Sequence, residues 1–175
     1  MKKNNIILIG MMGAGKSSIG KILIKHLSGF SFVDTDEEIE REMGISIPEI
    51  FSKYSEDYFR ELESKIINKV CEKSNQIIST GGGAFQNEEN RKVLLNSGKV
   101  FYLYAPSQIL YDRIKEQTAR PLLMCENPLK KVEELLGIRD INYRIADYVI
   151  DTTSLDQEQA ANEILRRTDE TFNFS

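Results

Sequence analysis

Apolar positions along the chain fall into two patterns. Five short runs are dense in aliphatic and aromatic residues: Ile6–Gly10, Phe30–Asp36, Gln76–Thr80, Lys99–Tyr104 and Asp147–Asp151. Most do not alternate with polar residues, the pattern of strands covered on both faces. Longer segments between them repeat apolar residues every three or four positions. Ser17–Leu27 carries Ile19, Ile22, Leu23 and Leu27; Asp57–Glu72 carries Phe59, Leu62, Ile66 and Val70. Such stripes predict amphipathic helices, and Asn87–Asn96, Pro106–Gln117 and Asp156–Arg167 read the same way. Pro128–Ala146 is helical at both ends, with Gly137 a weak point. Strands alternating with helices predict an α/β fold: a three-layer α/β/α arrangement around a five-stranded parallel sheet. No repeat, low-complexity tract or linker divides the chain, and its 175 residues suit one domain.

The chemistry gathers where the strands end. Gly10-Met11-Met12-Gly13-Ala14-Gly15-Lys16-Ser17 matches G-x-x-x-x-G-K-[ST], directly after a predicted strand and opening a predicted helix. Backbone N–H groups must converge on phosphate oxygens there, which requires small side chains and unusual φ angles. The helix start adds free N–H donors and the positive end of its dipole. Lys16 can reach the β- and γ-phosphates, and Ser17 offers a hydroxyl to Mg²⁺. A tight β–α turn would explain the glycines but not the Lys–Ser pair. A GTPase would carry an N-K-x-D motif, which is absent. An ABC-type ATPase would need a larger domain and its own signature. A small chain with one phosphate loop reads as a small-molecule kinase.

The second strand ends in V-D-T-D-E-E-I-E, so Asp34 and Asp36 are expected to alternate to either side of an extended backbone. Carboxyl ends of parallel strands face the ligand crevice, which puts both acids beside the phosphate loop. One can hold Mg²⁺ through water and the other can take a hydroxyl proton; capping of the next helix by one of them is the structural alternative. Gly81, Gly82 and Gly83 follow the third strand and offer backbone N–H groups at the same edge.

Composition narrows the partners. A net charge of −4 argues against nucleic acid or an anionic membrane as target. No apolar run approaches the roughly 18 residues that span a bilayer. Glycines break the apolar stretch after the basic M-K-K-N-N start, so no signal peptide is expected. Cys71 and Cys125 form neither a disulfide framework nor a zinc motif, which suits the reducing cytoplasm. His26 reads as a helix-surface residue.

The motifs G-M-M-G-A-G-K-S-S-I-G-K, F-V-D-T-D-E-E-I-E, I-F-S-K-Y-S-E-D-Y-F-R-E-L-E, S-T-G-G-G-A, A-R-P-L-L and R-D-I-N-Y-R-I-A-D-Y-V-I-D-T occur in this order from about Ile6 to Arg167. Together they resemble the shikimate kinase family. The phosphate loop is shared by many kinases; the combination of D-T-D, F-R-x-x-E, triple glycine and R-P-L-L is far more specific. The resemblance implies a P-loop fold of the nucleoside-monophosphate kinase type. It divides the single domain into a core, a substrate-binding helical segment at about 35–63 and a lid at about 112–127. It implies ATP-dependent phosphorylation of the 3-hydroxyl of shikimate, on the way to chorismate and aromatic amino acids, with Mg²⁺ as cofactor; a monomer is expected.

Residue by residue, the resemblance makes Lys16, Asp36 and Arg120 catalytic, with Asp36 binding the acceptor diol. Gly13, Ala14, Gly15, Lys16, Ser17 and Ser18 would hold ATP, with Arg113 stacked over adenine and the lid residue Arg120 on the transferring phosphate. Ser17 and, through water, Asp34 would serve Mg²⁺. Arg60 and Arg139 would grip the shikimate carboxylate, Glu63 would orient Arg60, Gly81–Gly83 would lie beside the ring, and Phe51 and Phe59 would wall the pocket. The chain departs from the family after D-T-T-S-L-D, where Gln157 stands near the place of a usual proline. Guanidinium forks suit a planar carboxylate, and fixed positive charge suits phosphoryl transfer. Two alternatives stand beside this reading: a gluconate or nucleoside-monophosphate kinase on the same fold, and a nucleotide-binding module without catalysis.

Overall fold

The computed structural model describes residues 4–116 and 125–169. Five strands form one all-parallel sheet in the order β2-β3-β1-β4-β5. They are β1 (Asn5–Ile9), β2 (Ser31–Asp34), β3 (Gln76–Ser79), β4 (Gly98–Tyr104) and β5 (Tyr148–Asp151). β1 and β3 are buried along their whole length, as their unbroken apolar runs require, whereas the edge strands β2 and β5 are partly exposed. β1 lies at the centre, and the chain leaves it first toward β2 and later toward β4. The crevice above β1, between β3 and β4, is therefore where an open α/β sheet binds ligands.

The helices are α1 (Lys16–His26), α2 (Thr35–Met43), α3 (Ile47–Lys53), α4 (Glu56–Cys71), α5 (Glu88–Ser97), α6 (Ser107–Ile114), α7 (Pro128–Tyr143) and α8 (Gln157–Asp169). A 3₁₀ turn spans Ala84–Gln86. Ile19 and Leu23 of α1, Ile66 and Ile67 of α4, Leu94 of α5 and Ile164 of α8 are buried in one core with the sheet. Close approach sets the entry to β4: a Cβ at Gly98 would lie 2.1 Å from the Asn5 carbonyl oxygen. The buried Asn5 side chain joins the sheet to the preceding turn, donating to the Lys73 carbonyl (2.9 Å) and accepting from the Gln76 N–H (3.0 Å).

Three expectations change. The strand expected over Phe30–Asp36 ends at Asp34, and Asp36 lies in the first turn of α2. Asp34 is the N-cap: its Oδ1 accepts from the Asp36 N–H at 3.0 Å, and Asp36, Glu37 and Glu38 follow at the positive end of the helix dipole. The two acids therefore do not alternate across a strand. α2 stops at Gly44, whose φ of 67° favours glycine, and Ser46 and Glu49 open α3 with a reciprocal capping box. Second, α7 runs unbroken through Gly137, an exposed position in a 16-residue helix that absorbs the modest glycine cost. It ends at Tyr143, not Ala146, in a tightened turn in which the Ile145 and Ala146 N–H groups reach back to Asn142 and Tyr143. Third, α6 ends at Ile114, before the expected Gln117. No helix among the described residues is long and apolar enough to cross a membrane.

Candidate active site

The loop between β1 and α1 turns on glycines. Gly15, the N-cap of α1, has φ of 87°; Gly13 has φ of 80°, and a Cβ there would lie 2.6 Å from the Leu110 carbonyl oxygen. The Lys16 ammonium donates to the carbonyls of Gly10 (2.9 Å) and Met11 (3.0 Å), which holds it over the loop. The Ser17 hydroxyl donates to Asp34 Oδ2 at 2.5 Å and lies 3.3 Å from the Ser79 hydroxyl. One carboxylate thus caps α2 with one oxygen and binds Ser17 with the other. These all-oxygen groups at a helix N-terminus suit a hard cation carried in on phosphates.

A cleft of about 780 Å³ opens beside this loop. Gly13–Ser18 line it together with Arg113, Thr152, Leu155 and Gln157. Arg113 is held from behind: it donates to the Thr152 carbonyl (2.7 Å) and hydroxyl (3.1 Å), and Thr152 is itself tied to the Tyr104 carbonyl. Around Gln157, Asp156 and Gln159 cap α8 reciprocally, at 2.8 and 2.9 Å.

A second cluster lies beside the phosphate loop, around the three glycines. A Cβ on Gly81 or Gly83 would clash with a neighbouring side chain, and one on Gly82 would just reach van der Waals contact with another. At Gly81 that atom would lie 2.7 Å from Asp36 Oδ1 and 3.1 Å from Glu63 Oε1. At Gly83 it would lie 2.5 Å from Arg60 Nη1, and at Gly82 3.4 Å from Arg139 Nη1. Arg60 on α4 and Arg139 on α7, 79 positions apart in the chain, flank one glycine loop. Arg60 donates to Glu63 (2.9 Å) and to Glu56 (3.1 Å). Glu63 is only 1% exposed. Burial raises the Glu63 carboxyl above its ordinary range, against the pull of Arg60 and Arg139. Asp36 is raised to about 6, first by burial and then by the charge of Asp34, with Lys16 opposing and Glu63 and Glu40 adding. A carboxylate poised there can hold a hydroxyl and take its proton. Phe59 is buried against the half-exposed Phe51, ring centroids 4.6 Å apart.

Arg60, Glu63, Arg139, Asp36 and Gly81–Gly83 therefore converge, and Lys16, Ser17 and Asp34 lie beside them. Ser18 is exposed at the cleft wall. Arg120 and half of the segment expected as a lid, residues 117–124, lie outside the described residues; Cys125 and His26 are exposed. Three contributors escaped the sequence reading. Thr152 anchors Arg113; its position at the carboxyl end of β5, on the crevice edge, was the available signal. Thr35 accepts from the Gly81 N–H at 3.1 Å, and Tyr143 donates to the Gly82 carbonyl. Neither is distinguishable in sequence from a helix-start residue or a core aromatic.

The family model for shikimate kinase matches residues 12–169. A shikimate kinase of Thermodesulfovibrio yellowstonii is 46% identical over 162 residues, 93% of each chain. The solved shikimate kinase of Acinetobacter baumannii in complex with shikimate is 41% identical, with a TM-score of 0.89 over 94% of this chain and 92% of that one. That of Aquifex aeolicus is 36% identical, with a TM-score of 0.82 over 95% and 96%. A gluconokinase of Sinorhizobium meliloti, 16% identical with a TM-score of 0.62 over 99% and 98% of the two chains, shares the fold alone. With its phosphate loop, paired arginines and glycine loop joined in one crevice, this chain belongs to the shikimate kinase family.

Proposed function

We propose that the chain transfers the γ-phosphoryl group of ATP to the 3-hydroxyl of shikimate, giving shikimate 3-phosphate and ADP. The observation that carries this reading is the meeting of Arg60 and Arg139 around Gly81–Gly83, with Asp36 between them and the phosphate loop. Two guanidinium forks at one place match a small planar carboxylate, and the carboxylate opposite matches a ring hydroxyl.

In this reading ATP lies in the cleft, its phosphates on the N–H groups of Gly13–Ser18 and its base toward Arg113. Lys16 releases its loop carbonyls to engage the β- and γ-phosphates. Asp36 orients the 3-hydroxyl and takes its proton as the oxygen bonds to phosphorus and the bridging bond to ADP breaks. Arg120 adds positive charge to the transferring group. Phosphoryl transfer depends mainly on such alignment and charge stabilisation. Ser17, with Asp34 through water, would hold Mg²⁺. Among the described residues no three His, Cys, Asp or Glu side chains cluster as a metal site. Bound at Ser17, Mg²⁺ would neutralise phosphate charge.

Incubation with ATP, magnesium and shikimate tests the reading, with the product followed by phosphorus–proton correlation spectroscopy. One phosphorylated product coupled to the proton on carbon 3 is expected. Unmodified shikimate, or phosphate on another oxygen, would overturn the assignment.

A further inference from the structure

The glycine loop is tied down from α7 by Tyr143. The carbonyls of Gly81 and Gly83 accept from the N–H groups of Ala84 (3.1 Å) and Gln86 (3.0 Å), inside the 3₁₀ turn. The Gly82 carbonyl has its partner elsewhere, in the hydroxyl of Tyr143 at the end of α7. Tyr143 is fully buried, its ring against Tyr102 with centroids 4.9 Å apart and its hydroxyl also 3.9 Å from Met11 Sδ. A second tie runs beside it, from the Asn142 side-chain amide to Gln86 Oε1 at 2.8 Å. Arg139 sits one turn earlier on the same helix. Burial pushes the Tyr143 phenol up to about 12, so the hydroxyl remains a proton donor at every working pH.

In a trans peptide the carbonyl and the following N–H point to opposite sides, and the described residues contain no cis peptide. Holding the Gly82 carbonyl toward α7 therefore turns the Gly83 N–H the other way. Gly82 and Gly83 are partly exposed, and among the described residues their N–H groups meet no acceptor. A peptide between two glycines has almost no side-chain barrier to rotating away from this orientation.

We propose that Tyr143 is a positioning residue for acceptor recognition: by fixing the Gly82 carbonyl it presents the Gly83 N–H to the crevice as a fixed donor for an oxygen of the acceptor. This rests on the proposed function, since it assigns the donor to the shikimate side of the same crevice. α7 then supplies both a charged contact, through Arg139, and the orientation of a neutral one.

Tyr143→Phe removes the hydroxyl and keeps the ring. It is expected to raise the KM for shikimate about tenfold, equivalent to about 1.4 kcal/mol, with the KM for ATP within twofold. Tyr102→Phe is the control, because its hydroxyl serves Asp140 (2.7 Å) and not the loop; its shikimate KM should stay within twofold of wild type. A purely structural Tyr143 would lower the melting temperature and leave the two KM values unchanged or raise them alike, and either result overturns the proposal. A measurement on the unaltered protein stands independently of the variant. Hydrogen exchange at the Gly83 amide should slow at least tenfold when shikimate is added, and unchanged exchange overturns the proposal. If the wild-type protein shows no shikimate-dependent turnover, the proposed function fails and this inference fails with it. If turnover is normal while KM and exchange are unmoved, only this inference fails.

Discussion

Removing Arg60 should damage recognition of the acceptor far more than folding. Arg60 makes two ion pairs of unequal weight. The one to Glu56 is exposed and contributes only about 0.3–0.5 kcal/mol. The one to Glu63 reaches a buried carboxylate, but the Arg60 side chain is itself 33% exposed. The cost of breaking it therefore falls below the roughly 3–5 kcal/mol of a fully buried pair. Glu63, already raised by burial, can also take a proton once its partner is gone. A stability loss of about 1–2 kcal/mol follows, or roughly 2–8 °C in melting temperature for a chain of this size. In the proposed binding mode the charge-assisted bonds to the acceptor carboxylate are lost outright, at about 2–4 kcal/mol, which is a roughly 30- to 1,000-fold rise in shikimate Kd. Arg60→Lys keeps a charge beside Glu63 and should recover most of the stability, but only part of the affinity, because an ammonium cannot reproduce the planar fork. Calorimetric titration of Arg60→Ala, Arg60→Lys and Arg139→Ala with shikimate and with ATP, beside circular dichroism, reads all of this. Folded variants whose shikimate affinity stays within about twofold, worth only ~0.4 kcal/mol, would refute the carboxylate grip. So would an equal loss for ATP.

Other outcomes are equally specific. Lys16→Ala should fold normally and lose most turnover, since a fixed positive charge leaves the transferring phosphate; steady-state kinetics would show it. Asp36→Asn should abolish most turnover yet stabilise the ligand-free protein above pH 7. Its carboxyl rises from 3.8 to about 6 on folding, so the stability it contributes is present below pH 3.8 and lost as pH rises through 6. Above that it costs about 3 kcal/mol, and thermal melts at pH 4 and 8 should show most of the variant's advantage only at the higher pH. Gly83→Ala should keep its fold, because φ of −88° suits alanine, while the new Cβ 2.5 Å from Arg60 Nη1 displaces the guanidinium and weakens shikimate binding. Gly137→Ala, mid-helix with nothing within 4 Å, should raise the melting temperature by the equivalent of about 0.5–1 kcal/mol without changing kinetics.

What could be read in advance follows from how local each signal is. The phosphate loop needs glycine, lysine and serine at fixed spacing directly after a buried strand, so it declares itself. The central strands do too, because burial on both faces leaves no polar positions in Ile6–Ile9 or Ile77–Ile78. The segment after β2 misled because V-D-T-D fits both a strand and a capped helix start. The choice is made by the Asp34 side chain, which bonds the Asp36 N–H and Ser17 at once, the second being a tertiary contact. The weak point expected at Gly137 weighed one residue's propensity against an otherwise sound helix. Arg60 and Glu63, three apart, look like any surface pair; what distinguishes them is Arg139 arriving from α7, which the fold alone decides. Tyr143 carries no sequence signal, since its significance lies in the single carbonyl it meets.

The central claim, that this crevice joins a phosphate donor to shikimate, is tested most directly by ADP release from the wild-type protein. ATP and magnesium are held constant, and shikimate, gluconate or a nucleoside monophosphate is added in turn. The account predicts saturable ADP release with shikimate and only background release with the other two. Background release with shikimate, or equal stimulation by gluconate or the nucleotide, would contradict it.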